Sequence, residues 1–138
     1  MHEMALAEGV LATALGLARE REQPVVKIIV KIGQLQQIST ETFRDCLDLF
    51  RPKDEPLLSQ ARIQLDTEPA TLTCRACSHA YGLGDLPGKP GESELEAIHF
   101  IPELAHSYLR CPRCASPDFD VTKGRGVWIE AIEVEESP

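Results

Sequence analysis

The sequence predicts an α+β protein: a helix–strand–helix–strand unit, an inserted metal module, and a return strand that completes the first sheet. Three observations predict it. Residues 4–20 place apolar side chains at helical spacing. Residues 25–33 and the closing VWIEAIEVEE place them at strand spacing. Between 70 and 120 this periodicity gives way to four cysteines in two C-x-x-C pairs among turn residues. The expected division is an α/β domain of residues 1–69 plus 121–138 and a zinc-ribbon domain of residues 70–120.

Each element follows from its residues. In MALAEGVLATALGLARE, Met4, Ala7, Leu11, Ala14 and Ala18 share one helix face, and Leu6, Val10 and Leu17 widen it. Gly9 and Gly16 each weaken that helix by about 1 kcal/mol, and Pro24 ends it. VVKIIVKIG, residues 25–33, is a strand with Val26, Ile28, Val30 and Ile32 on one face. Lys27 and Lys31 share the other face with Val25 and Ile29. Ser39 or Thr40 caps a second helix with Phe43, Leu47 and Phe50 inward, and Pro52 stops it. Residues 57–68 read as a second strand, with Ala61, Ile63 and Leu65 on one side. The closing strand is apolar on both sides, Val127, Ile129 and Ala131 opposing Trp128, Ile132 and Val134. Such a strand belongs inside a sheet more often than at its rim. The stretch 82–96, GLGDLPGKPGESELE, is a polar loop.

Composition narrows the function. A net charge of −8 disfavours nucleic-acid binding through a broad basic surface. No apolar run approaches the roughly 20 residues of a membrane span. The first helix holds Glu8 and Glu20 and follows no basic segment, which argues against a signal peptide. A cytoplasmic location is expected, where cysteines read as metal ligands or free thiols before disulfides. No nucleophile–base grouping and no phosphate-cradling glycine loop stands in the sequence, so a carrier is expected and not an enzyme.

Cys74-Arg75-Ala76-Cys77 and Cys111-Pro112-Arg113-Cys114 carry the strongest signal. Two intervening residues let a tight turn aim both sulfurs at one ion, and two such turns complete a tetrahedron with Zn–S bonds of about 2.3 Å. Four protein ligands leave no open position, so the Zn(II) is structural. A thiol–disulfide redox pair and a rubredoxin-like iron site are the rival readings. Cys46, in the second helix, reads as a small buried apolar residue.

The other candidate is Met1-His2-Glu3. A free amine, two main-chain amide nitrogens and the His2 imidazole lie within three residues and can close fused chelate rings in a plane. Square-planar nitrogen coordination suits Ni(II) or Cu(II); an exposed histidine without a role fits the same three residues. His79 and His106 read as surface or packing groups, and His99, between Ile98 and Phe100, as a histidine pinned by packing.

Taken together, MHEMALAEGV, KIGQLQ, the paired cysteines and KGRGVWIEAIEVE resemble the HypA family of hydrogenase nickel-insertion metallochaperones, and IHFIPELAHSYLRCPRC is most similar to its archaeal members. The resemblance implies two helices packed on a three-stranded sheet as a nickel-binding domain, with the inserted four-cysteine zinc ribbon. It implies nickel ligation by the Met1 amine, the His2 amide and imidazole and the Glu3 amide, with His99 joining. It implies zinc on Cys74, Cys77, Cys111 and Cys114. It also implies delivery of nickel to a [NiFe]-hydrogenase large subunit together with a HypB-type GTPase. Family members usually carry G-E-L where this chain has Gly33-Gln34-Leu35, and some carry an aspartate where it has Ser39. The alternative is a zinc-ribbon adaptor in a multiprotein complex, with no nickel function.

Overall fold

The computed structural model describes residues 2–36, 38–86, 94, 97–98 and 105–136. They form two compact units. One comprises Met1–Lys31, Ile38–Asp66 and Val127–Pro138; the other comprises Ile32–Gln37 and Thr67–Gly126.

The first unit opens with helix α1, His2–Arg21. Ala7, Val10, Leu11, Ala14 and Ala18 are buried. Met4, expected on the inner face, is 49% exposed. The helix stops before Pro24 is reached. Glu22 takes a left-handed conformation (φ 55°), and the Gln23 N–H donates to the Ala18 carbonyl at 3.2 Å, a Schellman-type end. Strand β1, Val25–Gly33, buries Val25, Ile28, Val30 and Ile32. Helix α2, Thr40–Phe50, is capped by Ser39, whose hydroxyl accepts from the Thr42 N–H at 3.2 Å. Its Phe43 and Leu47 are fully buried, and truncating such a phenylalanine to alanine costs about 3–5 kcal/mol. α1 packs on α2 and on the last strand.

Two strand expectations need correction. Strand β2 is Arg62–Glu68, not 57–68. The Leu58 and Ser59 N–H groups both donate to the Glu55 carbonyl, and the Leu57 N–H donates to the Glu55 carboxylate at 3.4 Å. These bonds hold the preceding residues in turns, and Leu58 still reaches the core from there. The closing strand, Val127–Val134, lies at the rim of its sheet; we number it β6, after the three strands of the second unit. The strand order is β2-β1-β6, so β1 takes the central place. None of the β6 side chains is fully buried. Its two apolar faces are each only half covered, which a rim position allows, while the wholly buried side chains lie on β1.

The second unit holds a small sheet of β3, Thr71–Cys74, β4, Ala80–Tyr81, and β5, Phe119–Lys123, in the order β4-β3-β5. Both pairings are antiparallel. A short helix, α3, spans Ala105–Tyr108. Leu35, Leu72, Tyr81, Leu109 and Phe119 pack with Cys74 and Cys111 in one core. Gly33 and Gly124 meet backbone to backbone. A Cβ on Gly33 would lie 2.3 Å from the Gly124 carbonyl oxygen. The Leu35 N–H donates to that oxygen at 3.0 Å, and the Gly124 N–H donates to the Glu68 carboxylate at 2.8 Å. The Ala70 N–H donates to Gln34 Oε1 at 2.8 Å. The Gln34 side chain thus serves as a backbone acceptor, a task that a glutamate oxygen performs equally well.

Candidate metal centre

The two cysteine pairs fold into matching knuckles. In the first, the Ser78 N–H donates to the Cys74 carbonyl and the Cys74 N–H to the His79 carbonyl, both at 2.9 Å. In the second, the Ala115 N–H donates to the Cys111 carbonyl at 2.8 Å and the Cys111 N–H to the Ser116 carbonyl at 3.0 Å. The residue after each pair is left-handed, Ser78 with φ 65° and Ala115 with φ 63°. The same six-residue turn is therefore used twice. The Arg113 N–H also points at Cys111 Sγ, at 3.4 Å.

These turns aim four sulfurs at one point. All four lie within 4.8 Å of one another. Cys74 Sγ is 3.5 Å from Cys114 Sγ, and Cys77 Sγ is 3.7 Å from Cys111 Sγ. A tetrahedron with metal–sulfur bonds of about 2.3 Å has edges of about 3.8 Å. A disulfide needs sulfurs about 2.05 Å apart, and all five cysteines are free. The donor set and its spacing fit Zn(II). Cys74 and Cys111 are buried, Cys77 is half-buried and Cys114 is exposed, so one edge of the cluster faces solvent.

The electrostatics are uneven. Burial raises the Cys74 thiol, but hydrogen bonds from the Cys77 and Ala76 amides and from Cys114 outweigh it and bring the pKa down to about 7. Cys114 is favoured by the Ser116 amide, yet its sulfur neighbours, Cys74 first, push it up to about 12. One thiolate forms readily, and its charge opposes the next. Arg75, inside the first pair, braces the knuckle on β5. Its Nε donates to Asp120 Oδ1 at 3.0 Å and its Nη1 to Asp118 Oδ1 at 3.3 Å. The acidic Asp118-Phe119-Asp120 run was visible in the sequence, but nothing there paired it with Arg75.

At the other candidate site, α1 begins at His2. The first amides of a helix have no carbonyl partner within it. The Glu3 carboxyl lies below its ordinary range, chiefly through a hydrogen bond from its own backbone N–H. Met1 and His99 lie outside the described residues, as does the His2 side chain. The ring of His79 stacks 6.0 Å from that of Tyr81. His106 donates from Nδ1 to the Pro117 carbonyl at 2.7 Å and packs 4.5 Å from Phe119.

Fold and cluster together define a small α+β metal-binding protein organised around a four-thiolate ribbon. The chain belongs to the HypA family: the family described as hydrogenase/urease nickel incorporation, metallochaperone, matches residues 1–134. The hydrogenase maturation factor HypA of Thermococcus sibiricus is 38% identical over 136 residues, covering 98% of this chain and 97% of that one. Its counterpart in Pyrococcus furiosus is 39% identical over 137 residues, with 98% and 96% covered. These relatives match the expected archaeal resemblance. The fold is shared with the solution structure of the Ni metallochaperone HypA from Helicobacter pylori, with a TM-score of 0.58, 19% identity and 96% of each chain covered. Among the described residues no helix is long and apolar enough to cross a membrane.

Proposed function

We propose that this chain carries Ni(II) on Met1, His2 and Glu3 and delivers it to a [NiFe]-hydrogenase large subunit, working with a HypB-type GTPase. The observation that carries the reading is the family match, which begins at residue 1 and so includes Met1-His2-Glu3. Helix geometry supports it. With α1 starting at His2, the His2 and Glu3 amides are not consumed by helical hydrogen bonds. Their deprotonated, anionic form is favoured at the positive end of the helix dipole. The partner of the Glu3 amide is its own carboxylate, which can turn away when a metal enters. A terminal chelate can also open one nitrogen at a time as a recipient's ligands arrive, which suits cargo. His99 is proposed as a further nickel ligand.

The proposed division of labour gives nickel to Met1, His2 and Glu3 of the first unit, with His99 added from the range of the second, and structural zinc to Cys74, Cys77, Cys111 and Cys114 of the second. When bound, zinc supplies a closed four-thiolate crosslink and no open position for chemistry. The chain is a carrier in this reading and works in the cytoplasm.

The test is nickel titration of untagged, zinc-loaded protein whose Met1 amine is shown to be free by mass spectrometry. One Ni(II) per chain with a diamagnetic square-planar spectrum is expected. His2→Ala, or a single residue added before Met1, should abolish that spectrum while zinc content stays at one per chain. Undiminished nickel binding in both variants overturns the site. His99→Ala should weaken nickel binding without removing it; unchanged affinity removes His99 from the ligand set.

A further inference from the structure

A cavity of about 260 Å³ opens in the second unit. Leu35, Ile98, Phe119 and Val121 give it an apolar wall. Its charged groups are Arg75, Arg125 and Asp120, two guanidinium groups against one carboxylate, in a chain whose net charge is −8. Arg75 is already engaged by Asp118 and Asp120. Arg125 forms no ion pair or hydrogen bond with any described residue.

The backbone holds Arg125 in place. It stands between Gly124 (φ 90°) and Gly126 (φ 82°) on a tight turn. That turn is fixed on both sides, by the Leu35 N–H on the Gly124 carbonyl and the Gly33 N–H on the Gly126 carbonyl. The guanidinium therefore projects from a preorganised base, which lowers the cost of binding. The His106 ring is fixed as well. Its Nδ1 donates to Pro117, which leaves the Nε2 lone pair of the neutral ring as an acceptor.

We propose that this cavity binds the C-terminal residue of a partner polypeptide when that residue is apolar. Three groups of such a residue find counterparts: the carboxylate meets Arg125, the amide N–H meets His106 Nε2, and the side chain enters the apolar wall. The volume lies just under the roughly 300 Å³ at which drug-sized sites begin. A volume of that size accommodates a single residue. The site uses none of the groups assigned to nickel or zinc, so it stands apart from the nickel-carrier reading.

The experiment is an NMR titration of isotope-labelled, zinc-loaded full-length chain with N-acetyl-leucine, N-acetyl-leucinamide and N-acetyl-glutamate α-amide. N-acetyl-leucine should shift the Val121 methyls and the Arg125 Nε–H signal saturably. The other two probes should bind at least about fivefold more weakly, a difference of about 1 kcal/mol. Arg125→Ala should weaken N-acetyl-leucine binding by a similar factor, and Arg125→Lys should recover part of it. Absent or non-saturable shifts overturn the proposal. Equal response to any carboxylate-free or side-chain-carboxylate probe, or indifference to Arg125→Ala in a folded variant, overturns it too.

Discussion

Tyr81 is 2% exposed, and its hydroxyl has no hydrogen-bond partner among the described residues. Burial first, then the charges of Cys111, Cys74, Cys114 and Cys77, push its pKa up to about 12. The hydroxyl therefore stays protonated and lacks a strong acceptor, at a cost of about 1–3 kcal/mol. The ring itself is useful, packing edge-on to Phe119 at 6.4 Å. Tyr81→Phe keeps the ring and removes the orphan. Zinc-loaded Tyr81→Phe should melt a few degrees higher, by about 2–4 °C per kcal/mol regained at this chain length, as read by calorimetry. A lower melting temperature would mean that the hydroxyl has a partner. Sequence inspection could not find this residue, because a buried tyrosine and a surface one look the same in Ala80-Tyr81-Gly82.

Helix α1 and the glycine contact of the second unit make opposite use of the same residue type. Gly9 and Gly16 sit in α1 with open space where a Cβ would stand. Each should be replaceable by alanine with a gain of about 1 kcal/mol, and chemical denaturation of Gly16→Ala should show a higher midpoint at unchanged slope. Gly124 is the converse. Its φ of 90° disfavours any side chain, and a Cβ there would lie 2.4 Å from the Ala70 Cα. Gly124→Ala should therefore lower stability by more than about 2 kcal/mol, measured in the same denaturation. The sequence distinguished the α1 glycines, because periodicity around them was strong. The backbone contact of Gly33 with Gly124 spans most of the chain and has no local signature. The same reason explains which strands were legible. β1 was readable in its bounds and in the alternating burial of Ile28, Val30 and Ile32, although Val26, expected on their face, is exposed and Val25 is buried in its place. β3 and β4 span four and two residues, too short for a period, and are set by the cysteine knuckles. The rim position of β6 was hidden because its alternation reports two apolar faces but not how fully each is covered.

Among the described residues, both helices longer than one turn, α1 and α2, belong to the first unit, whereas all four clustered cysteines belong to the second. Zinc removal should consequently separate two signals. The core of the second unit includes Cys74 and Cys111, so a chelator should abolish amide protection in β3, β4 and β5. The far-ultraviolet helical signal should largely remain. Structural zinc contributes folding free energy on the order of 10 kcal/mol in small zinc modules, too much for so short a sheet to replace. The pH dependence follows from the thiols. Zinc binds thiolates, so protons compete, and affinity falls as pH falls. In an unfolded zinc-free ribbon the knuckle hydrogen bonds that favour the Cys74 thiolate are gone, and thiols ionise in the ordinary cysteine range, about 8.5. Zinc must then displace a proton from each ligand at neutral pH, and log zinc affinity should climb steeply with pH and level off above about 8.5, as followed with a zinc-buffered colorimetric chelator. Cys74→Ser should reduce that slope by about one proton together with most of the affinity. Loss of the helical signal in step with zinc would show instead that the first unit cannot hold its core, from Ala7 to Phe43 and Ile28, without the thiolate crosslink.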